Sequence, residues 1–350
     1  MSAPTPSPEA PREAARRTAF VVLALIVIGL VAWQLAQVFL LLFGGILAAT
    51  ALRVPARLLE RRLHLEQGAA VAIAVLLVIA VAGLVGWQIG DRMAAQFENL
   101  REGLPRALDA LTAWLNRHAI GLALLQLWRD VKGADVPWAR VASAATLSVH
   151  AVFNVFLVLV IGIYLAADPD LYRRGVVGLV PRHWRAPIDQ ALRDSGHALT
   201  RWLMGQLVSM SFVGAATAIG LALLGMPLAL SLGVIAATLG FIPFFGAITS
   251  GVLMVLLAFV QGPTEALYVA ALALAIQQAE NHLLVPLIQR WSVSLPPVLS
   301  ILAAVIFGVL FGIAGVLLAA PLMVVSVALV RRLYVEEVLE ASPVISPSGR

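Results

Sequence analysis

The sequence predicts an all-α polytopic membrane protein with about eight transmembrane helices or helical hairpin segments. Hydrophobic residues make up 61% of the 350 residues, charged residues only 12%, and the mean hydropathy is +0.94. A soluble surface needs far more charge than this. Short arginine-containing segments separate the apolar runs, and glycine and proline interrupt two of the runs. These observations predict membrane spans, some of which are broken hairpins.

The charge pattern indicates membrane topology rather than nucleic-acid binding. The net charge is +5 and the isoelectric point about 10.4, but the arginines cluster between apolar runs instead of along one face. The chain has no cysteine, which excludes disulfides, thiolate nucleophiles and Cys-ligated metals. No zinc-protease motif, intramembrane aspartate pair or Ser/His arrangement is present. We therefore expect no enzyme activity, no cofactor and no metal site.

The N-terminal part is predicted to be a disordered cytoplasmic tail (residues 1–19) followed by transmembrane segments (residues 20–90). The apolar run 20–52 is too long for a signal peptide and has arginines on both flanks. The positive-inside rule places both flanks in the cytoplasm, which favours two short helices turning near Gln34, Gln37 or the pair Gly44 and Gly45. The alternative is one long tilted span, which would force one basic flank outside.

The middle of the chain is predicted to cross the membrane twice around a cap. Residues 91–145 repeat leucines such as Leu104, Leu108 and Leu111 at helical spacing and carry balanced charge, which predicts an extracytoplasmic amphipathic helical cap. Residues 146–167 return to the cytoplasm as a span. Residues 168–201 are rich in arginine and predict a cytoplasmic helical loop, which begins with a helix cap at Asp168.

Residues 202–332 are predicted to form a transmembrane core with two broken hairpins, and residues 333–350 a cytoplasmic tail, so that both termini are cytoplasmic. The runs 228–242 and 247–260 have only about 14 to 15 residues, whereas a span needs roughly 20. Gly240, Pro243 and Gly246 would break this segment. The run 298–330 breaks similarly near Gly312. Aligning Pro227 with Pro296 pairs the two hairpins without a gap, so they are either an internal repeat or a chance match between two similarly biased apolar segments.

One polar helix face suggests where a solute could pass. Gln277, Glu280 and Asn281 fall at i, i+3 and i+4, and their face is too polar to meet lipid. Glu280 could instead pair with Arg290 as a purely structural ion pair. The first broken hairpin would supply another wall of the path, with a gating or lining role for its tip. The predicted transport path comprises Gln206, Pro243, Phe244, Gly246, Gln277, Glu280, Asn281 and Pro286.

Several motifs resemble those of the AI-2E family of bacterial and archaeal membrane proteins, which is named for autoinducer-2 exporters. The resemblance is densest from Arg201 onwards. Arg201-Trp202-Leu203-Met204-Gly205-Gln206 is similar to the family's aromatic-x-x-Gly-Gln pattern, and Phe241-Ile242-Pro243-Phe244-Phe245-Gly246 to its Phe-Ile-Pro-x-x-Gly signature. Leu295-Pro296-Pro297 and the pair Gly312 and Gly315 follow the same order. At Arg290 the chain departs from the family, which commonly has glycine there.

The resemblance implies a multi-pass transporter of the bacterial plasma membrane, homo-oligomeric and pentameric, with members assigned to autoinducer-2 export or to sodium/proton antiport. We therefore expect a transporter of a small polar solute related to autoinducer-2, coupled to an ion gradient. The residues themselves leave three classes open: a secondary transporter whose partner is a small solute, proton or monovalent cation, a passive channel, and a non-transporting envelope scaffold. The bilayer is a partner in every case.

Overall fold

The computed structural model describes residues 10–117, 149–290 and 296–339, and within these ranges it contains helices and no strand. The predicted all-α class is therefore confirmed. We number the α-helices in chain order: α1 (Ala10–Leu63), α2 (Gln67–Asn116), α3 (Val149–Ala167), α4 (Pro169–Gly178), α5 (Arg185–Leu223), α6 (Ala229–Leu239), α7 (Phe245–Ala258), α8 (Pro263–Ala279), α9 (Val285–Gln289) and α10 (Pro297–Val330).

The first helix, α1, is uninterrupted over 54 residues, so the favoured prediction of two short helices is wrong. The pair Gly44 and Gly45 serves packing instead of a turn. A Cβ atom on Gly45 would lie 2.3 Å from Cγ2 of Ile161 in α3, and one on Gly162 would lie 2.8 Å from the Cβ of Ala48. Small residues at these points allow two helix backbones to approach closely.

The continuity of α1 also changes the predicted topology. The helix begins at Ala10, so residues 10–19 are helical and not a disordered tail, while residues 1–9 lie outside the described ranges. From Ala10 to Arg53 a helix rises about 65 Å, whereas the bilayer core is about 30 Å thick. A single crossing places these two residues on opposite sides of the membrane. The expectation that both termini are cytoplasmic therefore loses the turn on which it rested.

The second helix, α2, joins the predicted span to the first part of the predicted cap in one helix of 50 residues. Its cap portion packs against the end of α7. Ala107 is fully buried in a cluster with Leu257 and Ala258, and the ring centroid of Trp114 lies 5.8 Å from that of Phe259. Residues 118–148, which hold the rest of the predicted cap, lie outside the described ranges.

The predicted cytoplasmic loop, residues 168–201, consists of α4, a short 3-10 turn and the first part of α5. The Asp168 carboxylate accepts a hydrogen bond of 3.0 Å from the amide of Leu171, which confirms the predicted helix cap. Arg173 bonds both to Asp170 and to Asp189 of α5. The hydrogen bond from Arg173 is the main cause of a lowered pKa at Asp170. Ion pairs therefore hold α4 against α5.

Helices α6 and α7 form the first hairpin, and α6 packs closely on α5. A Cβ atom on Gly214 of α5 would lie 2.7 Å from the Cβ of Ala237, and one on Gly233 would lie 2.7 Å from the Cβ of Ala218. Because the pairs 214/237 and 218/233 run in opposite senses along the chain, the two helices are antiparallel. The first hairpin therefore folds back along the span that precedes it.

Helix α10 is the second hairpin, because its backbone leaves the helical region at Gly312, with φ 64° and ψ −145°. Ala303 and Ala319 belong to one buried cluster, although a straight helix would place them about 24 Å apart. A Cβ atom on Gly308 would lie 2.8 Å from Cγ2 of Val316, so residues on the two arms are in contact. The predicted break at Gly312 therefore reverses the chain direction. Beyond Val330 the chain continues as a π-helical segment, Arg331–Leu339, where the predicted tail begins.

The two hairpins enter the helix bundle from opposite ends. Near the tip of the first hairpin, Phe241 makes an edge-to-face contact with Trp202, with ring centroids 5.9 Å apart. The same buried cluster contains Ala320 and Val324, which lie on the returning arm of the second hairpin towards its open end. The tip of one hairpin is therefore level with the open end of the other, which is the arrangement of an inverted repeat.

Three helices within the described residues are long and apolar enough to cross a bilayer, and a fourth candidate is the pair α3 and α4, which bends by 88°. The long helices are Leu35–Leu63, Arg182–Leu223 and Val298–Glu337. Helices α6 and α7 are apolar but shorter than a span. The architecture is that of a polytopic membrane protein, and the count of eight segments stays a prediction.

Candidate functional site

A cavity of about 430 Å³ lies between α5, the tip of the first hairpin and the region where α8 passes into α9. Six of the eight predicted path residues line it: Gln206, Pro243, Phe244, Gln277, Glu280 and Asn281. Residues from four separate stretches of the chain therefore meet here, since Ser300 and Ala320 of the second hairpin also contribute. The sequence alone could not place those stretches side by side.

Among the described residues of the lining, Glu280 is the only ionisable one, and both of its carboxylate oxygens have partners. The Ser209 hydroxyl of α5 donates to Oε1, across 71 residues of sequence. The Gln277 amide donates to Oε2 at 3.2 Å and also reaches Asn281 Oδ1 at 3.4 Å. Two donors compensate part of the cost of holding a carboxylate away from bulk water. The described residues contain no ion pair between Glu280 and Arg290.

The backbone at Glu280 is π-helical rather than α-helical. The segment Glu280–Leu284 follows α8, and the amide of Val285 bonds to the carbonyl of Glu280 five residues earlier. Such single-turn widenings occur frequently at functional sites. Pro286 occupies the first turn of α9 and does not line the cavity. Because proline donates no amide hydrogen bond, its role here is to interrupt the helical ladder next to Glu280.

The tip of the first hairpin is a strained turn that faces the cavity. Phe244 has φ 65° and ψ −52°, and the amide of Phe245 bonds to the carbonyl of Pro243 at 2.8 Å. This is a γ-turn with a positive central φ, a rare and strained conformation for a residue other than glycine. Phe244 is 46% exposed and lines the cavity. Strain of this kind clusters at ligand clamps and switch regions.

Gly246 lies just behind this tip and allows the turn to close. A Cβ atom there would lie 2.0 Å from the carbonyl oxygen of Leu239, so no other residue fits without moving the backbone. Gly246 is buried and outside the cavity lining. From the opposite wall, the Gln206 amide donates to the carbonyl of Gly240 at 2.6 Å. Gln206 therefore ties the tip to α5 while lining the cavity.

Sequence reasoning did not include Ser209, Gln289 and Ser300 in the path, although all three line the cavity. Ser209 had a detectable signal, because it follows Gln206 by three residues and so shares its helix face. Ser300 also had one, since it falls opposite Ser231 in the alignment of the two hairpins. Gln289 had no signal that sets it apart from the other polar residues near Arg290.

The lining has a consistent electrostatic character. Its described residues supply one carboxylate and several amides and hydroxyls, and they include no lysine, arginine or histidine. Such a surface offers hydrogen bonds to polar groups and attracts positive charge, whereas an anion would face the carboxylate without a compensating cation. Apolar and aromatic side chains such as Trp202 and Phe244 complete the walls. Chemically, the cavity suits a small neutral or cationic solute.

Comparison with known proteins identifies the family of the chain. The profile described as AI-2E family transporter matches residues 21–334. This chain belongs to the AI-2E family. The match covers both hairpins and the complete cavity. Membership confirms the resemblance drawn from the motifs and gives the protein a function in membrane transport at the level of the family.

Curated relatives of this chain are also described as transport proteins or permeases. YueF of Bacillus subtilis is 26% identical over 286 residues, covering 77% of each chain. MT0215 of Mycobacterium tuberculosis is 28% identical and covers 73% of this chain and 72% of its own length. PerM of Escherichia coli K12 is 31% identical over 54% of each chain. The first two are named provisionally as transport proteins and the third as a permease.

Proposed function

We propose that the protein is a secondary transporter that moves a small polar solute through the cavity around Glu280. The observation that carries this proposal is the convergence of Gln206, Gln277, Glu280 and Asn281 on one cavity at the tip of a broken hairpin. Paired, interrupted hydrophobic segments flanking a polar site are characteristic of transporters. Localisation in the bacterial plasma membrane, homo-oligomeric assembly and the absence of enzyme activity belong to the same proposal.

The solute class follows from the lining. Amides and hydroxyls from Gln206, Gln277, Asn281 and Ser209 can bond to hydroxyl groups of a neutral solute, as an autoinducer-2-like molecule would require. Coupling to an ion gradient would use Glu280, the one carboxylate among the described residues of the lining. An exporter of an autoinducer-2-like signal is therefore our first candidate.

Sodium/proton antiport is the second candidate, and the oxygen atoms around Glu280 favour it. The carboxylate, the Ser209 hydroxyl and the Asn281 amide oxygen lie in one cluster of direct or successive hydrogen bonds through Gln277. Oxygen ligands of this type suit hard cations. In this mechanism a proton and a sodium ion would compete for the same carboxylate.

The test is flux into proteoliposomes, measured for a panel of small polar solutes and for sodium, with and without imposed pH or sodium gradients. A transporter saturates and is driven uphill by a gradient, whereas a passive channel is not driven uphill. Glu280→Gln should reduce flux by about tenfold or more, because it removes a charge-assisted interaction worth roughly 1.5–3 kcal/mol. Glu265→Gln is the matched control, because this carboxylate lies at the other end of α8.

The outcomes separate the candidates. Solute flux that depends on Glu280 supports the exporter, and sodium-driven proton movement that depends on Glu280 supports the antiporter. Equal flux in Glu280→Gln and Glu265→Gln would remove Glu280 from the mechanism. Flux that does not saturate and is not driven uphill by any gradient would favour the channel, and no flux for any solute or ion would favour the scaffold.

A further inference from the structure

Helix α4 has an unusual distribution of polarity for a helix at the edge of a protein. Four exposed residues of α4 and its C-terminal cap are apolar: Leu171, Tyr172, Val176 and Leu179 are 56%, 41%, 50% and 88% exposed. At 3.6 residues per turn these four side chains fall within an arc of about 140°. Helix α4 therefore exposes a hydrophobic arc, and the exposed charged residues Asp170 and Arg174 lie beside this arc.

The opposite side of α4 is ionic and faces the protein. Arg173 bonds to Asp189 of α5 and to Asp170, and only 18% of the Arg173 side chain is exposed. Arg193 also pairs with Asp189 at 3.0 Å. Arg173 ties this polar side to Asp189 of α5, and the apolar arc has no covering element among the described residues. Its natural environment is hydrocarbon rather than water.

The direction of α4 fits the surface of the membrane. It follows the apolar helix α3 after a bend of 88°, so it runs across the end of a span instead of continuing it. A charged residue lies at this end of α3: the Arg53 guanidinium of α1 donates a hydrogen bond of 3.2 Å to the carbonyl of Ala166. A helix perpendicular to a span at its charged end lies in the plane of the interface.

The residues next to α4 are of the types that contact an anionic membrane surface. Arg174, Arg182 and Arg185 are exposed, and Trp184 packs beside His183 with ring centroids 6.0 Å apart. Arginine attracts anionic headgroups, and tyrosine and tryptophan are enriched at the membrane interface. Arg185 also donates to the carbonyls of Val180 and Gly178, which fixes the turn after α4. The positive charge is thus held beside the apolar face.

We propose that α4 and the following turn form an in-plane docking surface for the anionic phospholipids of the leaflet at this end of α3. Leu171, Val176 and Leu179 enter the boundary between headgroups and acyl chains. Arg174 and Arg182 contact the phosphate groups of lipids such as phosphatidylglycerol. This surface is separate from the cavity, since none of its residues lines it. Its function is to fix the level of α4, and through Asp189 the start of α5, relative to the bilayer.

The chain has no native cysteine, so single cysteines can be labelled cleanly. Leu179→Cys and, as a control, Gln190→Cys on the exposed surface of α5 would each carry an environment-sensitive fluorophore. The full-length protein is reconstituted in vesicles of phosphatidylcholine, or of phosphatidylcholine with about one third phosphatidylglycerol. Lipids with a quencher near the headgroup end of the acyl chain report contact. We expect strong quenching at position 179 and weak quenching at position 190.

The charge contribution is tested with Arg174→Gln/Arg182→Gln in the Leu179→Cys background. Phosphatidylglycerol should increase quenching at position 179, and the double substitution should abolish this increase, because each arginine near an anionic surface changes the docking equilibrium by about fivefold. Arg193→Gln, which removes one positive charge from α5, is the control and should retain the increase. Equal quenching at positions 179 and 190, or cross-linking between chains through Cys at 179 with no quenching, would overturn the proposal. Quenching that is the same in both lipid compositions would overturn the recognition of anionic headgroups.

Discussion

The two hairpins both reverse the chain direction through a tight turn, but they use different residues at the turn. In each, a glycine presses against a carbonyl of the first arm: a Cβ atom on Gly246 would lie 2.0 Å from Leu239 O, and one on Gly315 would lie 1.9 Å from Phe307 O. In each, the residue shortly before has a positive φ, Phe244 in the first hairpin and Gly312 in the second. The first hairpin therefore accepts strain at a site where the second uses glycine.

This difference coincides with the position of the cavity. Phe244 lines the cavity, whereas Gly312 does not, and the second hairpin reaches the cavity only through Ser300 and Ala320. Packing offsets the strain of this turn only in part, because 46% of Phe244 remains exposed. The comparison indicates that the first tip contributes its side chain to the site, and that the second tip is a structural reversal.

The largest loss of stability is expected from substitutions at the closing glycine that both hairpins share. Gly246→Ala and Gly315→Ala each place a methyl group on a backbone carbonyl that cannot move independently of the hairpin, so each should destabilise the fold by more than about 3 kcal/mol. Loss of monodisperse protein on size-exclusion chromatography and a lower Tm in detergent would report this. Gly251→Ala is the control, because the space around its Cβ position is empty. A normal Tm for either variant would contradict the close approach seen at that turn.

Substitutions at the positive-φ residue of each tip should change the stability by a smaller amount and in opposite directions. Gly312→Ala should be destabilising by about 1–3 kcal/mol, since φ 64° with ψ −145° is accessible almost only to glycine. Phe244→Gly should have the opposite sign and raise the Tm, because it relieves the strained γ-turn. The Phe244 variant should at the same time alter solute flux. A higher Tm with unchanged flux would remove the side chain from the site and leave the two tips equivalent.

A smaller effect is expected from the contact that ties the first tip to α5. Gln206→Leu leaves the Gly240 carbonyl without its donor, at a cost of roughly 1–3 kcal/mol. Faster hydrogen exchange should be confined to residues near the first tip, and the second hairpin should exchange as in the wild type. Exchange that increases equally in both hairpins would show that Gln206 supports the bundle generally.

The sequence predicted the hairpins because glycine and proline leave local signals. Gly240, Pro243 and Gly246 indicated the first break, and Gly312 the second. The same reasoning failed at Gly44 and Gly45, where glycine serves close packing on α3, because a glycine pair in an apolar run looks the same in both roles. The distinction depends on the neighbouring helix, which the local sequence does not contain.

The site was predictable to the extent that it lies on one helix. Gln277, Glu280 and Asn281 were grouped correctly by helical spacing, and they line the cavity. The partner of Glu280 was not predictable, since Ser209 is 71 residues away and approaches only in the folded bundle. The π-helical turn at Glu280 also has no reliable sequence pattern. Pro286 and Gly246, which are also predicted for the path, do not line the cavity.

The most direct test of the central claim compares matched positions of the two hairpins. Ala247 and Val316 each follow the closing glycine, but only Ala247 lines the cavity. Single cysteines at these positions would be treated with a hydrophilic thiol reagent in proteoliposomes, with and without the transported solute. We predict that modification blocks flux at position 247 only, and that solute protects this cysteine. Equal block at position 316, or no block at position 247, would contradict a solute path at the first tip.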